Sequence, residues 1–308
     1  MSDQQNRAAN AWTDYWRSGE SASCHRSGVG EVSFEPVWAK YFDTFQDADL
    51  LDLATGNGTV VRWALISARR RDATFRITGV DYADVTPAAD AASARFLGRV
   101  NMESLPFENE SFDAISSQFG FEYADEAGAA AEASRVLRPG GALRFVMHAR
   151  GGEVSRDIGE RTDRLALVLG EGEILLRIRN LARGRAAGLP ETPVALEQLS
   201  SARSRVEVLR SAPPDNDAAL FYADGIADLW NNRTRYDPKD LLRSIEDGIA
   251  RAQAVQFRQR AMLAAARSAD DMVSLRGRFA ALGVSTAPAQ PLTDEQGRQI
   301  AWLLDGKK

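Results

Sequence analysis

Two reactive residue types are scarce in this chain. Among 308 residues there is one cysteine, Cys24, and there are two histidines, His25 and His148. A single thiol excludes an internal disulfide framework and a cysteine-based zinc site, and no metal is expected. No apolar run approaches the roughly 18 residues of a membrane-spanning helix. The opening Met1-Ser2-Asp3-Gln4-Gln5-Asn6-Arg7 lacks the apolar core of a secretory signal. An excess of positive charge is missing too: the net charge is -5 and the pI about 5.3. That balance argues against a broad phosphate-binding face. These absences lead us to expect a soluble cytoplasmic protein with neither a membrane nor a nucleic acid as partner. What remains is an ordinary globular composition, 44% hydrophobic and 26% charged. Its length exceeds one compact domain, so a core domain with an embellishment is expected.

The most informative stretch is 50–58, Leu-Leu-Asp-Leu-Ala-Thr-Gly-Asn-Gly. An apolar strand runs straight into a glycine turn, and a helical pattern follows from Val60 to Leu65. Glycine at such a turn lets a ligand approach the backbone and allows dihedrals that a side chain forbids. This is the sequence form of a nucleotide-type cofactor site at the carboxyl end of a first β-strand. A second strand pattern, Phe75 to Val80, ends on Asp81, a carboxylate placed to accept the hydroxyls of a ribose.

Taken with Asn101-Met102-Glu103-Ser104-Leu105-Pro106-Phe107, Phe112-Asp113-Ala114-Ile115 and Leu137-Arg138-Pro139-Gly140-Gly141, these segments form five ordered motifs. In that order they resemble the class I S-adenosylmethionine-dependent methyltransferases over about residues 35–150. The resemblance is to the small-molecule branch that includes the ubiquinone/menaquinone C-methyltransferases. It implies S-adenosylmethionine as cofactor. Asp52 and the amides around Ala54, Thr55, Gly56 and Gly58 would hold its amino-acid portion, and Asp81 its ribose. Tyr82 and Met102 would cover the adenine, with Asn101 and Glu103 beside it. Gln118, Tyr15 and Trp16 complete the expected cofactor set. Ala54 replaces the motif's first glycine, and Asn101 stands where an aspartate often accepts the adenine amino group; an amide oxygen can still accept that bond. Asp113 is read as a cap or turn residue. The Asn-Pro-Pro-aromatic motif of amino-directed DNA methyltransferases is missing after strand four, where the chain reads Gln118-Phe119-Gly120-Phe121-Glu122-Tyr123.

Strand and helix patterns alternate, which predicts a parallel sheet with right-handed crossovers. Strands are expected near 49–54, 75–81, 98–102, 111–118 and 141–148, with helices at 58–71, 86–97 and 125–137. Two earlier helices are expected at 4–17 and 35–45. Ala269–Leu282 reads as a helix, and Val284–Thr293 with Arg298–Leu304 as an antiparallel hairpin, its first arm made irregular by Pro288 and Pro291. The expected fold is α/β: a doubly wound, Rossmann-like seven-stranded sheet with a terminal antiparallel hairpin and a helical insertion after strand five. Residues 1–150 and 269–308 then form the methyltransferase domain, with 1–34 as an amino-terminal lid helix. Residues 151–268 form a helical cap or dimerisation region, broken near Gly170-Gly172, Leu189-Pro190 and Ala212-Pro213-Pro214.

Methyl transfer from a sulfonium is an in-line displacement, so the protein's main tasks are positioning and exclusion of water. An oxygen or carbon nucleophile also calls for a base. His148, at the carboxyl end of the fifth strand, is the first candidate, and His25 a weaker one. Glu122 and Tyr123, after strand four, lie where acceptors bind in this family, and Trp12 is placed to cover them. The expected function is methylation of an O, C or N atom of a small organic acceptor. Two alternatives stand beside it: a cofactor-binding relative with non-methylating chemistry, and a non-catalytic dimerisation partner.

Overall fold

The computed structural model describes residues 3–17 and 33–308, with side chains in the first helix from Ala9 onward. Cys24 and His25 lie outside the described residues. The chain opens with α1 (Asp3–Arg17) and α2 (Glu35–Phe42), then alternates β1 (Asp47–Leu53), α3 (Thr59–Arg71), β2 (Thr74–Val80) and β3 (Arg95–Leu97). It continues through β4 (Phe112–Gln118), α4 (Glu126–Val136) and β5 (Leu137–His148). Five helices follow: α5 (Glu153–Leu169), α6 (Ile174–Ala186), α7 (Pro193–Glu207), α8 (Ala218–Asn231) and α9 (Pro238–Ala265). The chain ends with α10 (Ala269–Ala281), β6 (Ser285–Thr286), β7 (Gln290–Thr293) and β8 (Gln299–Lys307).

The sheet runs in the order β3-β2-β1-β4-β5-β8-β6, and β7 pairs with β8. β1 to β5 are parallel, and β8 enters antiparallel beside β5. Strand order reverses between β1 and β4, so the carboxyl ends of these two strands form the crevice where ligands bind in open α/β sheets. β1 and β4 carry near-continuous buried runs, as strands covered on both faces must. Leu51, Leu53, Ile115, Leu143 and Phe145 form the centre of the core with Phe121 and Phe279. α2 is tied to the sheet by the Tyr41 hydroxyl, which lies 2.9 Å from the Ala142 carbonyl and 3.1 Å from that of Ile115. Asp113 does serve a structural role: its carboxylate accepts the Asp49 amide and pairs with Arg138.

Two expectations near residue 90 fail. The helix expected over 86–97 is a single 3-10 turn at Ala89–Ala91, and the strand expected at 98–102 lies instead at Arg95–Leu97. Alanine content favours a helix here, but β2 offers Thr78, Gly79 and Val80 as an open edge, and Arg95, Phe96 and Leu97 pair with it. The hairpin has three strands instead of two. Pro288 lacks an amide proton, and the first arm breaks around it into β6 and β7, giving eight strands.

The chain divides into two compact units, one formed by 1–156 with 262–308, the other by 157–261. The second is wholly helical and has its own core, built from Leu165, Leu175, Ile178, Leu199, Ile226, Trp230 and Ile245. Gly172, with φ 82°, separates α5 from α6, and the Thr192 hydroxyl caps α7 just before Pro193. No described helix is long and apolar enough to cross a membrane, and no metal-binding cluster occurs among the described residues.

Candidate cofactor and acceptor site

The floor of the site is the turn from β1 into α3. Ala54 (φ 52°), Gly56 (φ 53°) and Gly58 (φ 87°) all take left-handed dihedrals. For an alanine this conformation costs about 1–2 kcal/mol. The methyl group that Ala54 adds lies against Gly120, where a Cβ would come within 2.2 Å of the Ala54 Cβ. The Thr55 amide donates to the Val80 carbonyl at 2.9 Å, and the Gly58 amide to Thr55 at 2.9 Å. With Gly58 as its N-cap, α3 points its amino-terminal dipole at this turn, a favourable end for an anionic group such as a carboxylate.

Two buried carboxylates face the turn. Asp81 Oδ2 accepts the Gly56 amide and its Oδ1 the Ala83 amide, both at 2.8 Å. The Tyr82 backbone amide also donates to this carboxylate, which has about four acceptor positions in all and so keeps one for a ribose hydroxyl. Asp52 pairs across the sheet with Ser116, whose hydroxyl donates to Asp52 Oδ1 at 2.7 Å. Burial pushes Asp52 up to about 7 and Asp81 up to about 6. Asn57 donates from Nδ2 to the Trp16 carbonyl at 3.1 Å, while its buried Oδ1 meets no donor among the described residues. An ammonium group supplies what Asn57 Oδ1 and Asp52 lack. The residues therefore fit the amino-acid and ribose portions of S-adenosylmethionine.

The adenine side is less committed. Met102 packs half-buried on the core, and Tyr82 is half-buried with its hydroxyl pushed up by desolvation. Asn101 Oδ1, expected to accept the adenine amino group, already accepts the Glu103 amide at 3.0 Å in a local turn. Glu103 in turn accepts the Asp125 amide at 2.8 Å. Gln118, expected in the cofactor set, has a structural contact: its Oε1 accepts the buried Trp38 indole N–H at 2.6 Å, which ties α2 to the end of β4.

At the carboxyl ends of β4 and β5, where the acceptor is expected, Glu122 and His148 form a fully buried pair. Glu122 stands on the 3-10 turn Phe121–Tyr123 after β4, and His148 is the last residue of β5. Glu122 Oε1 lies 2.8 Å from His148 Nδ1 and accepts the His148 main-chain amide at 2.8 Å. This geometry puts the imidazole proton on Nδ1 and leaves Nε2 with the lone pair. Glu122 Oε2 has no donor among the described residues. Aromatic rings enclose the pair: Phe119 stacks on the imidazole at 4.3 Å, and Tyr123 meets it edge-on at 6.1 Å. Phe119 holds φ 55°, an uncommon conformation for a bulky residue.

α1 covers both halves. The Trp12 ring meets Tyr123 edge-on at 5.5 Å, and the Trp16 indole lies on Gly56. Tyr15 packs against both tryptophans. The Thr13 hydroxyl accepts the Asp84 amide at 2.9 Å and fixes the helix to the loop after β2.

Sequence reasoning missed Ser116, Asn57 and Arg267 as members of this region. Ser116 was findable from its position on β4 once the β1–β4 register was known. Arg267 gives no such signal, since it meets Glu122 from 145 residues away.

Residues 51–145 match the family described as "Methyltransferase domain". That part of the chain is a class I methyltransferase domain, and S-adenosylmethionine is the cofactor of its class. The chain is similar to the ubiquinone/menaquinone biosynthesis C-methyltransferase UbiE of Geotalea daltonii, 37% identical over 132 residues, which is 40% of this chain and 51% of that protein. It is also similar to the demethylmenaquinone methyltransferase of Thermus thermophilus, 35% identical over 102 residues, covering 30% and 44% respectively. The matches thus span about half the length of these curated relatives. Among solved structures, the 1,6-didemethyltoxoflavin-N1-methyltransferase of Burkholderia thailandensis aligns over 100% of this chain and 91% of its own, at 10% identity and a TM-score of 0.46.

Proposed function

We propose that this protein transfers the methyl group of S-adenosylmethionine to an O, C or N atom of a small organic acceptor in the cytoplasm. The observation that carries the acceptor half of this reading is the buried Glu122–His148 pair at the carboxyl ends of β4 and β5. When bound, the cofactor supplies an electrophilic methyl on a sulfonium.

Asp52 and Asn57 Oδ1 hold its ammonium, Asp81 its ribose, and the α3 amino terminus its carboxylate. Tyr82 and Met102 cover its adenine. His148 Nε2 takes the proton that the acceptor loses, while Glu122 keeps the other proton on Nδ1 and stabilises the imidazolium that forms. Trp12, Tyr15 and Trp16 close α1 over the site as a lid and exclude water. The helical unit 157–261 serves as an acceptor cap or a self-association element. Sedimentation, with and without cofactor, separates those two roles.

The test begins with calorimetric titration of S-adenosylmethionine and S-adenosylhomocysteine into wild type and Asp81→Ala. Saturable binding lost in the variant supports the cofactor site. Incubation with methyl-labelled cofactor and a small-molecule extract should then yield a labelled product and S-adenosylhomocysteine. Binding without any methylated product would favour non-methylating chemistry instead.

A further inference from the structure

Arg267 lies between α9 and α10, far from Glu122 and His148 in sequence, yet it touches the backbone of both. Its main-chain N–H donates to the His148 carbonyl at 2.8 Å, and its own carbonyl accepts the Arg150 amide at 2.8 Å. These bonds make a one-residue bridge that extends the end of β5. The Trp302 indole N–H, from β8, donates to the same Arg267 carbonyl at 2.9 Å. From this anchored backbone the guanidinium turns to the other partner. Nη2 donates to the Glu122 carbonyl at 3.2 Å, and Nη1 lies 3.5 Å from Glu126 Oε2 at the start of α4. The next residue, Ser268, opens α10 with a reciprocal capping box to Asp271, so Arg267 is fixed on its far side as well.

We propose that Arg267 is a positioning residue that clamps both members of the Glu122–His148 pair. Its main chain holds the strand end that carries the imidazole, and its guanidinium holds the turn that carries the carboxylate. The inference rests on the proposed role of that pair as the proton acceptor. The physical need is plain. Glu122 sits on a three-residue 3-10 turn, an element with poor hydrogen-bond geometry and little stiffness of its own. A hydrogen bond that sets a tautomer must keep its geometry, and a misplacement of about 1 Å is enough to weaken catalysis strongly. A planar guanidinium with several fixed donors reaches the Glu122 carbonyl and the Glu126 carboxylate together; an ammonium is a point charge without that fork.

The test reads the Nδ1–H proton of His148 by NMR, in a His25→Gln background that leaves one imidazole. In the parent protein this proton should be protected from exchange with water. Arg267→Gln should speed that exchange by about tenfold or more, because the turn carrying Glu122 opens locally. S-adenosylhomocysteine affinity should stay unchanged. Arg278→Ala is the control: it removes the other partner of Glu126 without touching the pair, and should leave the exchange as it was.

Should Arg267→Gln fail to fold, Arg267→Lys carries the test, since it keeps the charge and the main-chain bonds but loses the fork. Faster exchange in the folded variant supports the clamp. Unchanged exchange in either folded variant, or an equal rise in Arg278→Ala, overturns it. Absence of S-adenosylhomocysteine binding by the parent protein counts against the functional reading and leaves the clamp to be judged on the exchange rates.

Discussion

The indole of Trp16 lies so close to Gly56 that a Cβ at position 56 would come within 2.5 Å of its Cζ2 carbon. The glycine is therefore required twice, once for a left-handed φ and once for the closure of α1. Gly56→Ala should lower stability by about 1–3 kcal/mol and weaken S-adenosylhomocysteine binding. In the Trp16→Ala background the steric part of the loss should disappear and only the backbone strain remain. A double-mutant cycle on thermal melting checks this; additive effects would mean that the ring and the turn do not meet.

Gly120 and Ala54 form a similar pair across the site. Gly120→Ala places two Cβ atoms 2.2 Å apart and must push β4's exit away from the floor. The expected cost is about 2 kcal/mol or more. Ala54→Gly should restore most of it, and it should be neutral or stabilising alone, since it also relieves the left-handed alanine. Chemical denaturation of the two single variants and the double variant measures each term.

The pH dependence follows from Asp52. Burial raises it to about 7, well above an unfolded carboxyl, so the folded protein holds a proton there that the unfolded chain releases. The contribution to stability is full at low pH and is lost as pH rises from about 4 toward about 7. The ligand's ammonium needs the ionised form, so cofactor affinity should move the opposite way and rise across pH 5.5–8. Binding near pH 6.5 should release protons, seen as a dependence of calorimetric heat on buffer ionisation. Asp52→Asn should reduce the proton release to the smaller share that Asp81, raised to about 6, contributes, and should bind weakly at every pH.

Loss of the proposed base should be separable from loss of cofactor binding. His148→Gln should reduce turnover by about 100- to 10,000-fold while S-adenosylhomocysteine affinity changes little. Glu122→Gln should retain part of the activity with a shifted pH–rate profile, because an amide oxygen still accepts from Nδ1 but brings no charge. Equal affinity losses and rate losses in both variants would show that the pair serves only the fold.

Gln118 joins an expected cofactor role to a structural contact, and one variant separates the two. Gln118→Ala strands the buried Trp38 indole N–H, at a cost of about 1–3 kcal/mol. Calorimetry with S-adenosylhomocysteine should show affinity near that of wild type. A large loss of affinity in a variant that melts normally would return Gln118 to the cofactor site.

Local signals set most of the architecture. Period-two and apolar runs marked β1, β2, β4 and β5, and the glycine turn marked the corner between β1 and α3, because these features depend on neighbours along the chain. The region 86–97 shows the limit: alanine propensity favoured a helix, yet the open edge of β2 took three of its residues as a strand. Pro288 showed its effect in sequence, but whether it would bend the arm or divide it depended on pairing with β8.

By itself, then, the sequence determined the α/β class, the strand that leads to the glycine turn, and the acids Asp52 and Asp81. Tertiary structure alone decided that Ser116 reaches Asp52, that Trp16 lies on Gly56, that Gln118 serves Trp38, and that Glu122, His148 and Arg267 converge. Those contacts join residues 26 to 145 positions apart. No local propensity encodes them; they follow from strand order, register and packing, which exist only once the sheet has formed.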